Sequence, residues 1–174
     1  MLPGLSYDLS GDQASYCVGR RQSQINSNVP TAGPNDVRQV TFNIADPSGF
    51  LDLSSLCFQW TVTNAHATNA MQPLSAVPHC CWSRMIISIS SAIAEDIQYL
   101  SRTEEMLNRF LPYGKRRAAA AMGFGLASGS DNGADHLARA IPASGEQKVV
   151  WRTLSSGVLN SGKLFPGMLL GASG

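Results

Sequence analysis

The chain has 174 residues, of which 44% are hydrophobic and only 14% charged, and its formal net charge is +1. That length suffices for one domain with a substantial core, and the charged fraction is well below the ~25% of an ordinary soluble domain, which suits a protein that works inside an assembly. With no broad basic field, nucleic-acid binding as the main role is disfavoured, because phosphate neutralisation needs clustered Lys and Arg, and the short run Lys115-Arg116-Arg117 reads as a solvated loop.

Residues 1–37 are rich in Gly, Ser, Asn and Pro and read as an extended N-terminal arm, with at most a short strand near Tyr16 to Ile25. The domain proper is expected over 38–174. Arg38 to Ala45 alternates Val40, Phe42 and Ile44 with polar residues, the period-two signature of a half-buried strand. After the turn Asp46-Pro47-Ser48-Gly49, Leu56 to Thr63 repeats the pattern with Leu56, Phe58, Trp60 and Val62 on one face. A loop spans Asn64 to Pro78. Trp82 to Ser90 is a third strand, with Met85, Ile87 and Ile89 inward and Ile86 on a second covered face. Ile93 to Ile97 is its hairpin partner across Ser90-Ser91-Ala92, a turn without the Asn-Gly pair that favours tight hairpins. Val40, Phe42, Ile44, Phe58, Trp60, Val62, Met85, Ile87 and Ile89 are expected to share one core.

Ser101-Arg102-Thr103-Glu104 matches a capping box. It opens a short helix whose apolar face is Met106, Leu107, Phe110 and Leu111, stopped by Pro112 and Gly114. From Gly114 to Gly145 the composition turns to Ala, Gly, Ser and Asp, and Gly123, Gly125, Gly129 and Gly133 argue for a long mobile loop inserted at 114–145, with Ala118 to Ala121 as a brief helical extension at most. Gln147 to Leu154 is a further strand, with Val149 and Trp151 alternating against Val150 and Arg152, and Ser155-Ser156-Gly157 turns the chain into Val158 to Leu170. Short strands, long loops and one small helix predict an all-β fold. A jelly-roll β-sandwich suits the long loops, with six or seven of eight strands present, so the roll is incomplete at its C-terminal end.

The candidate chemistry is sparse. Glu95-Asp96 could be an acid/base pair, but strand neighbours point to opposite faces. The expectation is that one pairs with Arg84 or Arg102 while the other faces water. Cys80 and Cys81 are placed on a strand, pointing apart, and all four cysteines (17, 57, 80 and 81) read as reduced, buried small hydrophobes, with His79 a ligand lacking partners. His66 and His136 read as surface residues, because no Gly-x-Ser-x-Gly elbow accompanies them. Gly123-x-Gly125 lacks the lysine and the helix context of a phosphate loop. Trp60, Trp82 and Trp151 read as core rather than as a carbohydrate platform. No catalytic, cofactor or metal residues are assigned. The N-terminus lacks a basic n-region and an apolar h-region, and no stretch approaches the ~20 apolar residues of a membrane span. The expected setting is therefore a reducing compartment, cytoplasmic or nuclear.

One resemblance adds to this. The run from Met71 to Pro112 has a Pro-Leu-Ser lead-in, then an aromatic and Arg84 before an aliphatic strand. Glu95-Asp96-Ile97, Tyr99, Arg102, Met106 and Leu111-Pro112 follow. With Val40-Thr41-Phe42-Asn43-Ile44 and Phe50-Leu51-Asp52-Leu53 upstream, and Leu154-Ser155-Ser156-Gly157-Val158-Leu159-Asn160 and Lys163-Leu164-Phe165-Pro166 downstream, it resembles the double jelly-roll major capsid proteins of eukaryotic double-stranded DNA viruses. Polinton-like viruses and relatives of the nucleocytoplasmic large DNA viruses are the groups meant. The resemblance covers about residues 36 to 166. It implies the N-terminal jelly roll of a capsid subunit, or a truncated or endogenised copy, without catalysis. Its partners would be copies of itself in a trimeric capsomer and other capsid proteins, and its location the virion. Arg84, Glu95, Asp96, Ile97, Tyr99, Arg102, Met106 and Pro112 are then structural motif residues. The competing readings are a β-sandwich binding module for carbohydrate or protein ligands and a cupin-like enzyme, for which the His-x-His metal set is missing.

Overall fold

The structure, a computed structural model, describes residues 19–33, 39–44, 49–127 and 137–167. Antiparallel strands in small sheets predominate, accompanied by two helices. In chain order the elements are β1 (Phe50–Asp52), β2 (Phe58–Thr63), β3 (Arg84–Ile89), β4 (Ala92–Gln98), α1 (Leu100–Phe110), α2 (Tyr113–Met122), β5 (Glu146–Trp151) and β6 (Leu164–Pro166). Among the described residues they pair two by two, β1 with β6, β2 with β5 and β3 with β4. The expected all-β character holds at this coarse level.

Two compact units are present. One takes the residues up to Asp52, the hairpin tip 89–91 and the chain from Gly162. In it β1 runs antiparallel to β6, with Leu51 opposite Phe165, and Arg20 meets Asp52 at 3.0 Å. The strand expected over Arg38–Ala45 is not formed in its described part, 39–44. The physical reason is local: the Thr41 amide donates to the Asn28 side chain at 2.8 Å, and the Asn28 amide donates to the Thr41 carbonyl at 3.0 Å. A side chain has taken the place of a ladder partner, and Phe42 is left exposed rather than in a common core.

The second unit comprises Leu53–Ser88 and Ala92–Ser161. Its centre is the β2–β5 ladder, from Phe58 opposite Trp151 to Thr63 opposite Glu146. Alternation works as expected here: Phe58, Trp60 and Val62 face inward, and Val149 and Trp151 are buried. Around the ladder, Ala76, Ala120, Phe124, Ala138, Ile141 and Val149 form one core cluster. Val77, Leu100 and Trp151 form a second, packed by Phe58, Trp82, Met85 and Ile97, and Trp60 belongs to both. Ala120, Phe124, Ala138 and Ile141 come from the stretch expected to be a mobile loop, so the core is built partly from the segment that looked least structured.

That stretch is corrected in detail. Leu111-Pro112 ends α1, but α2 starts at once, with Pro112 in the preceding capping position. The Ala run supplies helix propensity and small residues that pack closely. Lys115-Arg116-Arg117 is therefore helical, and Gly114 lies inside a helix instead of stopping one. Gly123 follows α2 where a Cβ would lie 2.5 Å from the Ala76 carbonyl oxygen and 2.6 Å from Pro78 Cδ, so only glycine fits. Leu126 then bridges Ala138, with the Ala127 amide bonded to the Leu137 carbonyl at 3.0 Å. The remainder of the expected loop, 128–136, lies outside the described residues, as do His136, Cys17 and most of the expected arm.

The β3–β4 hairpin forms across Ser90 and Ser91, with φ of 47° and 67°. Two successive left-handed residues give the turn that matches strand twist, here without Asn or Gly. Ile86 is 45% exposed, so the second face of β3 is not covered as expected. At the far end of β4, Tyr99 takes a left-handed conformation (φ 53°) and redirects the chain into α1. The predicted capping box does not form: no side chain caps α1 at its start.

Candidate functional site

The expected apolar face of α1 is not the face the fold buries. Leu100, Glu104 and Asn108 are buried, whereas Met106 is 64% and Phe110 81% exposed. A polar face can be buried only if its groups find partners. Glu104 finds them in the loop after β5: its Oε1 accepts from the Leu154 amide at 2.9 Å, the Ser155 amide at 2.8 Å and the hydroxyls of Thr153 and Ser155 at 2.5 and 2.6 Å. Its Oε2 accepts from the Leu154 amide at 3.0 Å. Carboxylate acceptors form charge-assisted bonds, roughly twice as strong as neutral ones.

Glu95, on β4, holds the next residues of the same loop. Its carboxylate accepts from the Ser156 hydroxyl at 2.5 Å and from the Gly157 amide at 2.8 Å. Ser156 is itself buried and accepts the Leu159 amide at 3.1 Å. Asn160 closes the loop, donating to the carbonyls of Thr153 and Ser156 at 3.1 and 2.8 Å. Two carboxylates, Glu95 and Glu104, thus clasp one loop, 153–160. Asp96 goes elsewhere, to a bidentate pair with Arg84 at 2.7 and 2.6 Å, and the Arg84 guanidinium holds its carboxyl below the usual range. Pairing of one carboxylate with Arg84 was expected; the other was expected to face water and instead binds Ser156 and Gly157. Strand alternation sends the two carboxylates to separate partners, so they form no acid/base pair over one substrate.

A third polar cluster lies where α1 meets the 3-10 turn Pro78–Cys81. Glu105 Oε2 receives the Ser75 hydroxyl at 3.1 Å and meets His79 Nε2 at 2.9 Å, while its Oε1 receives Arg109 at 3.0 Å. His79 is 1% exposed, and burial holds its imidazole below the ordinary range against the opposing pull of Glu105. Ser, His and a carboxylate meet here, but the serine and the histidine both bind the carboxylate. In a nucleophilic triad the hydroxyl bonds to the histidine instead. His79 is thus paired with the Glu105 carboxylate, a hydrogen-bond partner 26 residues away that the sequence did not point to.

Cys80 and Cys81 lie in the 3-10 turn, not on a strand, and there the two thiols hydrogen-bond to each other. That bond lowers Cys80 to about 7 and pushes Cys81 up. Cys57 and Cys81 are exposed, which corrects the expectation of burial. Trp60 packs edge-on against Trp82 and Trp151, with centroids 5.4 and 6.4 Å apart. The three rings face one another and offer no flat stacking surface for a sugar.

Of the remaining motif residues, Ile97 packs into the second core cluster, Tyr99 and Pro112 precede the two helices, and Arg102 and Met106 are exposed. The structure joins Glu95 to the Leu154–Asn160 run, two segments the sequence could only place in order. Glu104, Glu105, Ser75, Thr153 and Ser156 were not singled out as site residues. The one available signal was Glu104 itself, an acidic residue inside an otherwise capped-looking helix start. Among the described residues no cluster of three or more His, Cys, Asp or Glu could hold a metal ion, and no helix is long and apolar enough to cross a membrane. Comparison with protein-family models, curated proteins and solved structures finds no match.

Proposed function

We propose that this chain is a structural subunit of a capsid-like assembly, built as the N-terminal jelly roll of a double jelly-roll capsid protein or a derived copy of one. The observation that carries the reading is the double clasp. The Glu95-Asp96-Ile97…Tyr99 run and the Leu154–Asn160 run, on which the resemblance rests, are one constellation, because Glu95 and Glu104 bind residues 153–157. Residues that recur together in a scaffold family would do so for such a reason, since each leaves buried polar groups unsatisfied without the other. The carboxylates are spent on backbone amides rather than presented to a substrate, which fits a scaffold. Low charge fits repeated contact with copies of the same chain.

The test is the state of association. Purified protein at micromolar concentration, measured by size-exclusion chromatography with light scattering and by negative-stain electron microscopy, should form trimers or larger regular particles. A monodisperse monomer across a hundredfold concentration range would refute the proposal.

A further inference from the structure

We propose that the outward ridge of α1 is a binding site for an anionic membrane surface, on which the helix lies in the plane of the bilayer. The starting point is the inversion of this helix. With 3.6 residues per turn, Met106 and Phe110 fall on one side of α1, four residues apart, and Arg102 and Arg109 lie along the edge of the same side. Met106 and Phe110 are 64 and 81% exposed. A water-facing helix ordinarily carries its apolar stripe inward. Here the inward side is occupied by Leu100, Glu104 and Asn108, which leaves the apolar side for something else.

The charge around the ridge selects the partner. On α1 itself the cations are Arg102 and Arg109, and the acids are Glu104 and Glu105. Neither acid is available to repel an anion: Glu104 is buried against 153–155 and Glu105 is engaged by His79, Ser75 and Arg109. The Arg109 side chain keeps 57% of its surface exposed despite that bond. Exposed aromatic and thioether side chains edged by cations make up the signature of a helix that sits at the headgroup level. At eleven residues α1 is about 16 Å long, far short of the ~30 Å hydrocarbon core, so it can only lie on a membrane.

The experiment is co-sedimentation of the full chain with vesicles of phosphatidylcholine plus phosphatidylserine, compared with phosphatidylcholine alone. Binding is expected to the anionic vesicles. It should weaken about tenfold or more in Phe110→Ser and in Met106→Ser, and should weaken in Arg102→Glu and when salt is raised from about 0.1 M to 1 M. All three side chains are exposed, so the variants should keep the wild-type circular dichroism and melting curve. Binding that is absent, or indifferent to all three variants, overturns the proposal. So does light scattering in which Phe110→Ser dissolves an oligomer while vesicles bind neither protein, because the occupant is then a second copy. Absent vesicle binding leaves the capsid reading, which rests on the clasp, untouched, whereas an oligomer dissolved by Phe110→Ser would count in favour of self-association.

Discussion

Replacing Glu104 by alanine removes the acceptor of five hydrogen bonds and strands the amides of Leu154 and Ser155 and the hydroxyls of Thr153 and Ser155. Thr153 is 2% exposed, so water can replace the carboxylate only where the loop opens. A buried donor left unsatisfied costs about 1–3 kcal/mol. The donors share one acceptor and the loop can relax, so the sum is not reached; about 3–5 kcal/mol is the expected loss, as for a broken buried charged network. For a chain of this size that lowers the melting temperature by roughly 6–20 °C. Glu104→Gln keeps an oxygen for the four bonds now made to Oε1 but turns an NH2 toward the Leu154 amide, and should lose about 1–2 kcal/mol. Urea unfolding followed by tryptophan fluorescence reads both, with the midpoint shifting at constant slope. A double-mutant cycle of Glu104→Ala with Ser155→Ala should show coupling of at least ~1 kcal/mol. If Glu104→Ala shifts stability by less than ~1 kcal/mol, the clasp does not hold the loop.

Three further expectations follow from the same geometry. Gly123→Ala should destabilise by about 1–3 kcal/mol, because its new methyl meets the Ala76 carbonyl and the Pro78 ring; Gly114→Ala, with nothing within 4 Å, should be neutral or stabilising, and thermal melts compare the two. Since burial lowers His79 from 6.5, the unfolded chain binds a proton that the folded chain refuses. Stability should therefore be fully present above about pH 6.5 and fall as pH drops from there toward the lower folded value, and His79→Gln should flatten that slope in denaturation curves taken across the range. Cys80 should react with iodoacetamide at a rate that rises with pH through about 7, and Cys81→Ala should move that inflection upward, because the hydrogen bond from Cys81 is what lowers it; mass spectrometry of the labelled peptide follows both.

The sequence was legible where burial follows alternation. β2 and β5 show it on both strands of one ladder, and their inward residues Phe58, Trp60, Val149 and Trp151 were all in the pattern. It misled at α1, because reading an apolar stripe as the buried face assumes that polar residues have nowhere to go. Glu104 and Glu95 have partners 49 to 63 residues away, and nothing local announces a partner at that distance. At α2 the signal existed in Ala118–Ala121 and was outweighed by neighbouring glycines. Gly123 and Gly125 were read as marks of looseness, yet Gly123 is there because backbone passes so close to it. Phe42 failed for the opposite reason, a good strand pattern diverted by one asparagine side chain.

The bridge between Leu126 and Ala138 has a consequence for how this chain can vary. The peptide enters and leaves residues 128–136 at the same spot, pinned by the bond from the Ala127 amide to the Leu137 carbonyl. Whatever path the chain takes between those points, its length is not transmitted to α2 before it or β5 after it. Doubling such a closed stretch adds only about 0.6 kcal/mol of closure entropy. An epitope or tag inserted here should therefore leave the rest of the fold in register.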